Sequence, residues 1–276
     1  MRGKNRGILI GALIFALIGI VLIIVGAVAG GKFSGIGNYD YIQINETYGD
    51  DITQIDLELY AGTLTVKQGD SFKVEANVPD DLYDIYTSNK TLYVNPKATK
   101  WLFSFWRWDG LNEEEDCSIT VYVPENTTLD SIKVNVSAGK ANVNDVTTKI
   151  ADFNLNAGNL LIQSVTVTDS MDLKVNAGKL EALSLVSHGS NINMNAGRAE
   201  LSGTFLGTSK IKMNAGSLEL ITSEKENAYD YQLDINAGKI RINNESYHNG
   251  EKSLDNDANN EFDLKCNAGS IILKTE

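Results

Sequence analysis

Histidine and cysteine are nearly missing from this chain, with two of each in 276 residues. A zinc site needs three or four such ligands at set spacing, and histidine-based acid–base chemistry needs an imidazole held beside a second catalytic group. Only His188 and His248 are present, and neither sits in such a setting. Cys117 and Cys266 are too few for a disulfide-rich scaffold. They leave one bridge open in an oxidising compartment, against the simpler reading of two small buried residues. Proline is scarce, with three residues against 24 glycines. Frequent turns without proline-rich linkers suit a compact β protein. No Gly-rich phosphate loop, zinc spacing or nucleophile elbow occurs, and no cofactor is implied.

Positive charge is also short, with 24 Lys and Arg against 36 Asp and Glu. Arg2, Lys4 and Arg6 precede the first apolar run, so the remainder carries 21 basic and 36 acidic residues, a net of −15. A body that acidic repels nucleic acid and anionic lipid and favours cationic partners. Hydrophobic content is nevertheless 42%, and the apolar residues are patterned, as a folded body requires.

Residues 7–31 contain no charged side chain. As a helix they would reach ~37 Å at ~1.5 Å per residue, enough to cross a ~30 Å hydrocarbon core. The basic residues ahead of the run place 1–6 in the cytoplasm as a short tail and 32–276 outside, as a single-span signal anchor. Ala27-Val28-Ala29 before Gly30 has the small-x-small form of a cleavage site, so a signal peptide is the competing reading.

Beyond residue 136 an Ala-Gly pair recurs. It is seen as Ser137-Ala138-Gly139 and then as Asn156-Ala157-Gly158, Asn176-Ala177-Gly178, Asn195-Ala196-Gly197, Asn214-Ala215-Gly216, Asn236-Ala237-Gly238 and Asn267-Ala268-Gly269. Successive glycines are 19, 20, 19, 19, 22 and 31 residues apart. Self-similarity at a near-constant period marks a stacked repeat architecture. Apolar residues alternate with polar ones on both sides of each turn, as in Phe153-x-Leu155 before and Leu160-x-Ile162 after, the pattern of half-buried strands. A second apolar spot follows at Val146, Val165, Leu185 and Phe205.

A constant period favours coils over separate hairpins. Each unit is then one turn of a β-solenoid, with equivalent residues stacked at ~4.8 Å and strands paired in parallel with their copies. Gly supplies the backbone angle at the corner, Ala fits where nothing larger would, and the asparagines form an amide ladder. The longer spacings contain Ser223–Asn227 and Asn243–Asn260, read as polar loops protruding from a corner. Cys266 falls at the position of Leu155, Val175 and Ile235, which turns its thiol inward. Asp255–Glu261 superficially resembles a calcium loop but lacks the required Gly and distant Glu.

The expected organisation is a linker and first strand over 32–51, an N-terminal β section over 52–136, and the repeat solenoid over 137–276. The N-terminal section repeats the unit once around Ala61-Gly62 and caps the stack, since an open end is a row of unpaired strand edges. Within it, 97–116 holds all three tryptophans, in Trp101, Phe103, Phe105, Trp106 and Trp108. Either these aromatics pack over the solenoid end, or they form an exposed tip that docks on a membrane interface, a glycan or a protein.

The repeated unit apolar-x-apolar-Asn-Ala-Gly-x-apolar-x-apolar resembles the bacterial "putative adhesin" family, a domain of unknown function with repeated Ala-Gly or Ser-Gly β units. The similarity covers most of residues 40–276 and extends to the aromatic insertion. It implies a solenoid-like β fold and a place in the envelope of mostly Gram-positive bacteria, often beside envelope-stress systems. It supplies no ligand and no catalytic residue. The expected role is a non-catalytic binding or scaffold module for an envelope protein, a cationic peptide or a cell-wall polymer. The alternatives are a polysaccharide-active β-helix enzyme and an ectodomain that regulates a membrane signalling partner.

Overall fold

The computed structural model describes residues 41–80, 82–97 and 117–276. The expected membrane span at 7–31 and the aromatic residues 101–108 lie outside them. Among the described residues no helix is long and apolar enough to cross a membrane.

The chain is all-β. It opens with β1 (Tyr41–Thr47), β2 (Gln54–Leu59), β3 (Thr63–Gly69), β4 (Lys73–Pro79), β5 (Tyr83–Ser88), β6 (Thr91–Pro96) and β7 (Ser118–Pro124). The repeats follow as β8 (Thr128–Val136), β9 (Lys140–Asn144), β10 (Thr147–Leu155), β11 (Asn159–Gln163), β12 (Thr166–Val175), β13 (Lys179–Met194), β14 (Arg198–Met213) and β15 (Ser217–Thr222). A 3₁₀ turn at Glu226–Ala228 leads into β16 (Tyr229–Ile242), β17 (Glu245–Leu254) and β18 (Asn260–Lys274). All join one open sheet that winds into coils.

Each coil has the same plan. One strand runs into Asn-Ala-Gly and a second leaves it. A short third side at Thr147–Thr148, Thr166–Val167 and Val186–Ser187 then leads through a bulge into the next coil. Pairing between coils is parallel and in register: Phe153 lies beside Val134 and Leu173, and Ile162 beside Val143 and Ala182. Equivalent apolar residues therefore stack inward, and the alternating strands bury every second side chain. The predicted second apolar spot is buried at Val146, Val165, Leu185 and Phe205. Aromatic residues fill the core at its C-terminal end. Tyr229 and Phe262 ring centres lie 4.5 Å apart, and Tyr231 stacks on Phe262 at 6.2 Å.

Stack order departs from chain order at both ends. Gly62 stacks against Gly139, 77 residues on, so the β2–β3 coil sits directly on β8–β9. The intervening β6 and β7 form a further coil on its outer side. At the other end, β18 does not follow β16 outward. It lies between β14–β15 and β16, parallel to all of them. Residues 245–254, expected within a protruding loop, instead form β17 antiparallel to β16 and close the stack.

Both ends thus finish in antiparallel strands: β1 on β4, β4 on β7 and β5 on β6 at one, β17 at the other. An antiparallel strand can be reached by a short turn, so the chain covers the parallel edge without another full coil. The exposed β17 carries Glu245, Glu251 and Lys252, charges that oppose further pairing.

Candidate functional site: the Asn-Ala-Gly corner and its insertion

The asparagine side chains stack into the expected ladder. Asn176 donates to Asn156, Asn195 to Asn176 and Asn214 to Asn195, at 2.7, 2.6 and 2.7 Å. Asn267 then donates to Asn214 and Asn236 to Asn267, both at 2.7 Å. Every amide dipole points the same way along the stack, an arrangement in which each bond polarises the next.

The glycines form a second column. A Cβ on Gly178, at φ +127°, would overlap the carbonyl oxygen of Gly158, and the same overlap recurs from Gly139 to Gly216 and at Gly269. Gly is fixed here by contact between coils as much as by its backbone angle. The alanines are less confined than expected. Ala157 is buried, but Ala196, Ala215 and Ala237 are exposed, because the corner turns their Cβ outward.

At the N-terminal end the same corner is interrupted. The Thr63–Ser118 register puts Cys117 in the glycine column, where its carbonyl oxygen accepts from Thr63 N at 2.8 Å. Continuing the β2–β6 register puts Lys97 beside Tyr60. In the β2–β3 coil one residue, Ala61, separates these two positions, whereas in the β6–β7 coil residues 98–116 do. Residues 98–116, which lie outside the described residues, therefore join two positions that a single residue joins in the neighbouring coil. Tyr60 N donates to the Tyr83 hydroxyl at 3.4 Å, and burial holds that phenol well above its usual range.

The family description Toastrack DUF4097 matches residues 52–271, which is the span of these coils. The chain belongs to the Toastrack DUF4097 family. Among solved structures it is similar to a putative cell adhesion protein from Clostridium sporogenes, with 11% identity, 86% of this chain and 100% of that one covered, and a TM-score of 0.34. A putative adhesin from Bacteroides fragilis aligns at 11% identity over 87% and 100%, with a TM-score of 0.38. A putative lipid binding protein from Parabacteroides distasonis aligns at 12% over 89% and 99%, with a TM-score of 0.43. No curated protein matches the chain.

On the outer faces of this Toastrack stack, charges are paired. Glu181, Glu200 and Glu219 lie in register on successive rungs. Lys179 reaches Glu181 at 3.0 Å, Arg198 Nε reaches Glu200 at 2.7 Å and Lys274 reaches Glu219 at 2.5 Å. Hydrogen bonds from Lys73, Lys149 and Lys274 hold Glu75, Asp130 and Glu219 below the usual carboxylate range. A general acid requires the opposite shift. The depression between β16, β17 and β18 holds about 300 Å³, and its Asp234 is paired with Lys265.

No group of three metal-binding side chains converges among the described residues. The acidic stretch at Asp255–Glu261 is a strap rather than a cage. Asp230 accepts from Asn256 N at 2.7 Å and Ala258 N at 3.2 Å, pinning the β17–β18 connection over the start of β16.

The two cysteines form no disulfide and are buried, at opposite ends of the Toastrack stack. Six rungs separate the Gly62 and Gly269 positions, about 29 Å at ~4.8 Å per rung. A bridge needs Cα atoms within ~7 Å. The inward position read for Cys266 holds: it lies between Met213 and Ile235, and burial raises its thiol pKa.

Proposed function

We propose that this protein is a non-catalytic, adhesin-like binding module of the cell envelope. Residues 7–31 anchor it as a single span with the N-terminus in the cytoplasm, and residues 98–116 carry its principal contact surface. The supporting observation is that the one-residue turn of the neighbouring coil, Ala61 between Tyr60 and Gly62, is replaced here by residues 98–116 between Lys97 and Cys117. A corner that tolerates one residue elsewhere carries 19 here, with Trp101, Phe103, Phe105, Trp106 and Trp108 among them. Large aromatics concentrated in one short segment suit recognition, because they bury much area at low entropic cost.

The tether and the insertion leave the stack at the same end. β1 is two strands beyond β7 on one face, through β4. Residues 32–40 span at most ~31 Å at ~3.4 Å each. An anchor at 7–31 would therefore keep the aromatic segment near the bilayer. There it would meet lipid headgroups, the neighbouring envelope protein or the innermost wall polymer before any distant surface. The link to envelope stress rests on the family resemblance alone.

The test is capture from solubilised bacterial membranes and co-sedimentation with phospholipid vesicles and with cell-wall polymer. It compares residues 32–276 with the same protein lacking 98–116. Loss of binding in the shortened protein supports the reading. Equal binding by both overturns the assignment of the surface, and glycan cleavage abolished by substituting one carboxylate overturns the non-catalytic reading.

A further inference from the structure

β18 occupies a place that its position in the chain does not require. On one side it pairs with β14 through Glu261–Cys266 and with β15 through Ser270–Lys274, and on the other with β16 through Asn260–Leu273. It reaches this slot across the start of β16 by residues 255–259. That connection is held by Asp230 and by an Asn256 side-chain donation to Tyr229 O at 2.7 Å.

The slot recognises its strand through several independent features. Phe262, Leu264, Cys266, Ile271 and Leu273 enter the core, and Asn267 completes the ladder on both sides. Gly269 fits under the Gly216 carbonyl, where a Cβ would overlap it. Nothing in these contacts depends on which chain supplies the strand.

We propose that the slot between β15 and β16 is a strand-acceptor site whose exchange partner is β18 of a second copy, giving a reciprocal, strand-swapped dimer. Every contact of β18 is reproduced in the swapped form. Only the five-residue connection changes, so the two forms differ mainly through the hinge and protein concentration. The hinge contacts made by Asp230 hold the closed form, and their removal favours exchange. Reciprocal exchange closes on itself and leaves no further slot open, so it stops at the dimer.

Glu219 and Ile272 are in-register neighbours facing outward on β15 and β18. Full-length Glu219→Cys protein is mixed with full-length Ile272→Cys protein, taken to denaturant just below the unfolding midpoint, returned to native buffer and only then oxidised. The expected product is a dimer bridged between positions 219 and 272, in a yield that rises with concentration and increases several-fold when both carry Asp230→Ala. Glu200→Cys mixed with Ile272→Cys, two rungs apart, should give none.

The double variant Glu219→Cys/Ile272→Cys should close the bond within one chain. If it does and the mixture yields no bridged dimer, exchange does not occur and the proposal fails. Equal bridging by the Glu200→Cys mixture marks non-specific association and fails it as well. If the double variant forms no bond, β18 does not lie beside β15 and the slot itself is refuted.

Discussion

Asn267 donates its side-chain amide to Asn214, 53 residues earlier, at 2.7 Å. Asn236, which lies between them in the chain, is displaced to the next rung out and donates to Asn267 instead. The ladder therefore records the order of the coils in space rather than in sequence. Asn195 and Asn267 each make two ladder bonds, and Asn236 makes one. At ~0.5–1.5 kcal/mol per bond, Asn195→Ala and Asn267→Ala should each cost about 1–3 kcal/mol and Asn236→Ala about half as much. Thermal melts read this as ~2–4 °C per kcal/mol for a domain of this size. A larger loss at Asn236 than at Asn267 would restore the sequential order and refute the inserted one.

The glycine column separates backbone strain from contact between coils. Gly178 and Gly250 both have positive φ, at +127° and +109°. A Cβ at Gly178 meets the Gly158 carbonyl, whereas one at Gly250 meets nothing within 4 Å. Gly250→Ala should cost only the left-handed penalty of ~1–2 kcal/mol. Gly178→Ala adds an overlap that must push two coils apart, so a loss of at least ~3 kcal/mol or failure to fold is expected. Equal urea midpoints for the two variants would remove the coil-to-coil contact as the reason for the repeat.

The corner chemistry was legible in the sequence because each feature follows from stacking. An in-register Asn can bond only its own copy, and a Gly beneath a carbonyl has no substitute. Rung order was not legible, for the same reason. Tyr231, Leu233 and Ile235 before one turn and Phe262, Leu264 and Cys266 before the other present equivalent apolar rows, so periodicity cannot say which adjoins Met213. A trace of the outcome lay in the 31-residue spacing. Its polar stretch over 245–254 has too few apolar residues for an inner coil and suits a closing edge. The candidate tip at 101–108 was legible as composition only, and the match of the flanking Cys117 to the glycine column needed the strand register.

The thiols offer a direct check on the ends of the stack. Cys117 and Cys266 are both buried and unbridged, and burial disfavours the thiolate of Cys266. Neither should react with a thiol reagent in native buffer, and both should react in denaturant. Mobility on a denaturing gel should be the same with and without reductant. A faster-migrating oxidised form would mean that the two ends meet.

Acid should loosen the β15–β18 junction. Glu219 is held below its ordinary pKa chiefly by the hydrogen bond from Lys274, with Arg198 and Arg241 contributing. A depressed carboxylate stabilises the folded state above its unfolded pKa of ~4.3, and that contribution is lost as pH falls through the lower folded value. Both side chains are substantially exposed, so the pair is worth under ~1 kcal/mol and is weakened by salt. Between pH 5 and pH 3 the parent should lose slightly more stability than Lys274→Met. A steeper loss in the variant would reverse the sign assigned to the pair.

Replacing the insertion tests whether the β6–β7 coil is a true member of the stack. Lys97 stands at the Tyr60 position and Cys117 at the Gly62 position, so a single residue should close the gap. Excising 98–116, placing Ala between Lys97 and residue 117, and adding Cys117→Gly recreates an Ala-Gly turn of the kind found at Ala61-Gly62. The new glycine would sit where Cys117 now presents its carbonyl to Thr63 N, so that bond is kept. The substitution removes a buried thiol of modest size, and the shorter loop lowers the entropy of closure. The two effects oppose each other, and the melting temperature should stay within a few degrees of the parent. If the shortened protein unfolds or loses the β1–β4–β7 edge by hydrogen exchange, residues 98–116 are part of the cap's core rather than an insertion displayed from it.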